Sequence, residues 1–310
     1  MTVILLILVI ALALYLLLSL GLANYMATLI FTPPKASCPT YDEVRGRQTG
    51  KNASERELFS HTDWQAFDSW PAEPFPVQNG DILIPGVYYP LENSRGCAIL
   101  VHGFGQNRLA MTPHAVIFRS LGFDVVTFDQ RRFGVSEAPV VGFGSFEGKD
   151  VACVAEKAAQ RLGADTPIVV CGVSMGAASI LNALKYTDKI DYAVADCGFA
   201  RFRGAIPYLY KSLIPLPNPF LMPVIFRRAK KLGIPVAEND PIDAAADAAI
   251  PICVVHGDKD RGVSVGDAHQ LGAVLKNPRS RVEIFPGRDH AYAICDHEKY
   301  RDMLKAFLEI

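Results

Sequence analysis

The sequence predicts an α/β domain with a mostly parallel central sheet, carried behind one membrane-spanning helix. Three observations support this. Val3 to Phe31 form an almost unbroken apolar run. From about residue 80, short β-branched-rich runs alternate with longer amphipathic stretches, the rhythm of a sheet covered by helices on both faces. Finally, Gly172-Val173-Ser174-Met175-Gly176 stands where a strand hands over to a helix.

About 20 apolar residues suffice to span a bilayer core, and this run is longer. A cleavable signal would show a basic start, roughly 7–15 apolar residues and a small-x-small cleavage site. This chain has no Lys or Arg before Lys35. The run is apolar on every face rather than along one stripe, which argues against a core helix. We therefore expect residues 1–31 to be a single-pass signal-anchor helix that places the protein in a membrane. Lys35, Arg45 and Arg47 follow the span with no counterpart ahead of it. By itself that bias keeps the downstream side cytoplasmic, a preference that long domains override.

The remaining length holds one large domain plus a small insertion. A net charge of −1 without a clustered basic face excludes nucleic acid as a partner. The nearest basic cluster, Arg227-Arg228-Ala229-Lys230-Lys231, reads as a solvated helix face rather than a lipid-headgroup patch. The seven cysteines are odd in number and lack C-x-x-C spacing, so neither a disulfide framework nor a zinc site is expected. With no metal-ligand cluster and no nucleotide-binding glycine loop visible, we expect no cofactor and no metal.

Residues 32–75 are rich in Pro, Ser, Thr and charge and read as a juxtamembrane linker with one short helix. The domain then occupies 76–310. Ile82–Tyr89, Cys97–Val101, Asp124–Phe128, Pro167–Val173, Tyr192–Ala195, Ile252–Val255 and Arg281–Phe285 read as strands. Helices are expected around Met111–Leu121, Phe146–Leu162, Met175–Leu184 and Lys299–Leu308. Residues 200–249 break the rhythm, with Pro207, Pro215, Pro217, Pro219 and Pro223 among aromatic and apolar residues. An insertion there lies over the C-terminal edge of the sheet, where open α/β folds bind ligands, and we read it as a cap.

The pentapeptide at 172–176 has the context of a nucleophile elbow. So tight a strand-to-helix turn leaves no room for a Cβ on its flanks and lifts the Ser174 hydroxyl clear of the sheet. It also leaves the Met175 N–H at a helix N-terminus, aimed at a developing oxyanion. A serine needs a base and the base an orienting acid, here expected in the order Ser, acid, His. His290, in the loop after the last predicted strand, is the candidate base. Asp260 is the candidate acid, with Asp258 as the alternative; Asp289 adjoins the histidine and would not face it. The Phe104 N–H in Val101-His102-Gly103-Phe104-Gly105 is the expected second oxyanion donor. His102 is read as holding that loop rather than as a base.

Five motifs together resemble the α/β-hydrolase superfamily over roughly residues 80–310. Within it, the chain is similar to serine aminopeptidase (S33)-like and membrane-anchored hydrolases. The motifs are His102-Gly103-Phe104-Gly105-Gln106-Asn107, Phe128-Asp129-Gln130-Arg131-Arg132-Phe133-Gly134-Val135-Ser136, Gly172–Gly176, His256–Asp260 and Gly287–His290. The resemblance selects Asp260 over Asp258 and implies cofactor-free ester, thioester or amide hydrolysis. It departs at Arg132-Phe133, where the family pattern has a glycine usually followed by histidine. Substrate choice lies in cap and loop residues. An apolar cap beside a membrane helix suggests a lipid-like acyl substrate among small molecules. Acyl transfer by the same triad and a non-catalytic binding protein on the same fold are the competing readings.

Overall fold

The computed structural model of the chain describes residues 2–163, 166–214, 216–236 and 240–310. The apolar run forms one helix, α1 (Thr2–Phe31), about 45 Å long at 1.5 Å per residue. Its outer half is bare, with Leu17 66% and Leu18 73% exposed. In its inner half Ala23, Ala27, Ile30 and Phe31 are buried against the rest of the protein. A helix apolar on all sides contains no stripe from which that packed face could be read.

Residues 32–75 fold rather than link, which corrects the linker expectation. They form α2 (Tyr41–Gly46), α3 (Ala53–Leu58) and α4 (Trp64–Asp68). Each has its own N-cap: Thr40 in a capping box with Glu43, then Asn52, then Asp63. Val44, Phe59 and Phe67 bury themselves in the same apolar cluster as Leu100 and Val169 of the domain. Helices this short carry too few apolar positions for a period to emerge.

The strands are β1 (Glu73–Pro74), β2 (Val77–Asn79), β3 (Ile82–Ile84), β4 (Gly86–Tyr89), β5 (Cys97–Val101), β6 (Asp124–Phe128), β7 (Ile168–Val173), β8 (Tyr192–Asp196), β9 (Ile252–Gly257) and β10 (Arg281–Phe285). The main sheet runs β1-β4-β6-β5-β7-β8-β9-β10, with β2 and β3 forming a separate hairpin. Pairing is parallel from β6 through β10 and antiparallel at β1 and β4. Pro85, which has no N–H to give a ladder, splits the single strand expected at 82–89 into β3 and β4.

Helices α5 (Thr112–Ser120), α6 (Glu147–Leu162), α7 (Met175–Ala183), α8 (Phe202–Leu213), α9 (Leu221–Lys231), α10 (Pro241–Asp247), α11 (Val265–Val274) and α12 (His297–Leu308) complete the chain. The central strands bury both faces, and β5 displays the period of two directly. Cys97, Ile99 and Val101 join a core with Val151 of α6 and Leu181 of α7. Ala98 and Leu100 join another with Phe118 of α5 and Leu304 of α12.

The insertion between β8 and β9 is narrower than the 200–249 expected. Ile242 and Ala245 of α10 belong to the sheet's own core, so the cap proper is α8 and α9. Pro215, one of the prolines expected within the cap, and residues 237–239 lie outside the described residues. α1 is part of the cap's packing. The Phe31 and Phe202 rings stack at 6.2 Å, Tyr15 Oη donates to the Pro217 carbonyl at 2.5 Å, and Asn218 Nδ2 donates to the Ser19 carbonyl at 2.9 Å. Arg132 sits in the left-handed region at φ 66°, where the family pattern has glycine. Its guanidinium donates to the carbonyls of Pro33 at 2.6 Å and Pro139 at 2.9 Å, so it ties the end of α1 to the domain.

Candidate active site

β7 delivers Gly172 and Val173 to the C-terminal edge of the sheet, and α7 begins immediately after Ser174. Ser174 holds φ 57° and ψ −116°, a conformation costly for any residue with a Cβ. The surrounding contacts enforce it. A Cβ on Gly172 would lie 2.3 Å from the Gly176 carbonyl oxygen, and one on Gly176 would lie 2.1 Å from that of Val101. The Ser174 N–H donates to the Asp196 carbonyl at 2.8 Å, fixing the turn to β8.

The structure brings Ser174, His290 and Asp260 into one hydrogen-bonded row. His290 Nε2 lies 2.9 Å from Ser174 Oγ, and its Nδ1 lies 2.8 Å from Asp260 Oδ2. The other oxygen of Asp260 accepts the Gly262 and Val263 N–H groups, both at 2.7 Å. Burial works against the Asp260 charge. Hydrogen bonds from His256, His290 and the Val263 N–H outweigh it and hold the carboxyl well below the usual range. The alternative carboxylates have other work. Asp258 accepts the Gly287 N–H at 2.6 Å, while Asp289 accepts those of His290 at 2.8 Å and Arg261 at 3.0 Å. Together they clamp the loop that presents His290.

Met175 opens α7, so its N–H has no carbonyl one turn earlier to bond. Phe104 follows Gly103 in the loop after β5, beside Ser174. His102 is fully buried and uncharged, burial driving its pKa down. Its Nε2 accepts the Gln130 N–H at 3.0 Å, and its Nδ1 faces the Gly103 carbonyl at 2.8 Å. The Gln130 side chain closes the loop by donating to the His102 carbonyl. Among the described residues, one grouping has metal-ligand spacing, Cys197 with Asp260 and His290. The Asp260 and His290 ligand atoms are already engaged in the row just described.

Comparison with known proteins agrees with this architecture. A family model described as serine aminopeptidase, S33, matches residues 92–232. The uncharacterised protein YqkD of Bacillus subtilis is 24% identical over 272 residues, covering 85% of this chain and 88% of its own. An esterase of Pyrococcus furiosus, Pf2001, superposes with a TM-score of 0.65 at 21% identity, covering 80% of this chain and 96% of its own. A membrane phospholipase A described as a bacterial virulence factor gives a TM-score of 0.55 at 18% identity, over 77% of this chain and 86% of its own.

This chain has the α/β-hydrolase fold.

Two cavities meet at Ser174 and His290. One, of about 240 Å³, has a largely apolar lining, including Leu58 and Met111, into which Arg47, Glu55 and Gln106 bring polar groups. The other, of about 340 Å³, is almost wholly apolar, with Leu29 and Ile30 of α1 facing Ile206 and Leu209 of α8. The Phe104 ring borders both. Sequence reasoning did not find these α1 and α2–α3 residues, because it assigned both segments to an anchor and a linker. It also passed over His256, whose Nε2 lies 3.2 Å from Asp260 Oδ2. Its place four residues before the acid in the same motif is the signal that could have flagged it.

Proposed function

We propose that this α/β hydrolase is a membrane-anchored serine hydrolase that cleaves an ester, thioester or amide through an acyl-enzyme. The reading rests above all on His290 standing within hydrogen-bond reach of Ser174 Oγ on one side and Asp260 on the other. Ser174 attacks the substrate carbonyl while His290 Nε2 takes its proton. Asp260 holds Nδ1 protonated and stabilises the imidazolium, and the Phe104 and Met175 N–H groups receive the oxyanion. His290 then returns the proton to the leaving group, and water releases the acid by the same steps in reverse. The Pyrococcus furiosus protein of similar fold is named an esterase, which is in keeping with this reading. α1, long and apolar enough to cross a bilayer, serves as the anchor in this reading.

The test is labelling of the detergent-solubilised full chain with a fluorophosphonate, wild type beside Ser174→Ala, together with p-nitrophenyl acetate hydrolysis. We expect label on the wild type alone and a loss of kcat/KM of at least about 10⁴-fold in the variant. A folded wild type that takes no label and releases no nitrophenol would refute the reading.

A further inference from the structure

We propose that α1 is a wall of the acyl site as well as an anchor, and that the substrate is a long-chain acyl ester with a polar head, taken from the bilayer that α1 occupies. The proposal rests on the reading of Ser174 as nucleophile and α1 as membrane helix.

The first observation is the apolar cavity. It ends at Ser174 and His290, and its opposing sides come from Leu29 and Ile30 of α1 and from Ile206 and Leu213 of α8. Such a lining cannot orient a polar group, but it accepts a methylene chain. The cavity on the other side of Ser174 is also largely apolar, but Arg47, Glu55 and Gln106 reach its lining, which gives the alcohol half of a substrate polar partners that the first cavity lacks. The scissile carbonyl then lies between them. The ester C–O bond breaks there, the acyl carbon joins Ser174 Oγ, and the alcohol leaves with the proton relayed by His290.

The second observation is depth. Every 20-residue window within Thr2–Phe31 contains residues 12–21, so Tyr15 and Ser19 lie within the hydrocarbon whichever window spans it. The cap is bonded to α1 at those two levels, through the Pro217 carbonyl and the Asn218 side chain. The tip of the cap therefore sits among lipid chains. Its surface suits that place: Leu213 and Leu216, both 63% exposed, are the most exposed large apolar side chains among the described residues outside α1.

The third observation is charge. α9 begins just after Asn218, at the level of Ser19, and climbs alongside α1. Further along it, Phe226 meets the Phe202 ring that stacks on Phe31. Its final turns carry Arg227, Arg228, Lys230 and Lys231 to the level where α1 leaves the membrane. Basic side chains at that height face lipid phosphates. This replaces the solvated-face reading with contact to the same bilayer.

The experiment uses the full chain in phosphatidylcholine nanodiscs with p-nitrophenyl esters from acetate to palmitate. Wild-type kcat/KM should rise about fourfold per methylene until the cavity fills, the increment for burying one CH₂. Leu29→Trp should lower the decanoate-to-acetate ratio at least tenfold, whereas Leu8→Trp, on the bare outer half of α1, should leave it unchanged. In a separate variant, Leu216→Trp, brominated lipid should quench the added indole. A flat chain-length series from a protein that still takes fluorophosphonate would overturn the proposal and leave the hydrolase reading standing. Absence of quenching in Leu216→Trp would overturn it as well. Absence of both label and acetate hydrolysis would instead sink the hydrolase reading. If Leu29→Trp fails to fold, the wild-type series and the quenching experiment still decide.

Discussion

His256 Nε2 lies 3.2 Å from Asp260 Oδ2, the same oxygen that receives the Nδ1 proton of His290. The His256 N–H is shared with the Val263 carbonyl at 3.1 Å, so the imidazole fastens the acid to the loop that follows it. Burial lowers the His256 pKa, but the Asp260 charge and hydrogen bond more than reverse this, and the net shift is upward. In the proposed mechanism His256 is thus a positioning residue, acting through Asp260 and not on substrate. We expect His256→Leu to lower kcat about tenfold, equivalent to one charge-assisted hydrogen bond, with KM unchanged. His256→Gln, which keeps an N–H donor, should recover most of that loss. Equal losses in both variants under steady-state kinetics would remove the positioning role.

Arg132 combines a strained backbone with two useful hydrogen bonds. At φ 66° any side chain costs about 1 kcal/mol relative to glycine. The guanidinium bonds to Pro33 and Pro139 offset this while joining α1 to the domain. Arg132→Ala loses the bonds and keeps the strain, whereas Arg132→Gly loses both. We expect the alanine variant to melt below the glycine variant by about 2 °C, with both below wild type. Scanning calorimetry in one detergent checks the order, and coincident melting points would contradict it.

Glu147 is buried beneath the loop that carries Phe143 into the apolar cavity, and accepts the N–H groups of Gly142 at 2.7 Å and Gly144 at 2.9 Å. Burial raises its pKa and the Gly142 hydrogen bond partly opposes that, leaving it at about 6. In the unfolded chain a glutamate ionises at about 4.3. Between those values the folded protein retains a proton that the unfolded chain releases, so stability falls as pH rises through the window. The total is about 2 kcal/mol. Glu147→Gln should flatten the slope between pH about 4.3 and 6 in denaturant titrations. An unchanged slope would mean that Glu147 is ionised throughout.

Periodicity and motif spacing made the sheet legible because its strands are apolar, short and bounded by turn residues. Arg281–Phe285 was expected and found at the same limits. The elbow was legible for a steric reason, since only glycine can stand 2.1 Å from the Val101 oxygen. Ser174, Asp260 and His290 each fell at a predicted strand end, where the structure also places them. What stayed hidden depends on contacts between distant segments. Leu29 and Ile30 look like any lipid-facing residues until α8 is set against them, and Arg47 lies in a stretch whose composition resembles a tether. Asn52, which begins a formal glycosylation sequon, serves α3 as its N-cap.

The 30 residues of α1 are two modules in one helix. The outer part up to Leu14 is exposed on all sides and is exchangeable for another hydrophobic span. The inner part from Tyr15 to Phe31 is bonded to the cap and packs into the domain's core. A fragment lacking residues 1–31, the boundary composition suggests, would strip Phe202 of its stacked ring and open the apolar cavity to water. Engineering a soluble version means redesigning the outer module while retaining the inner one.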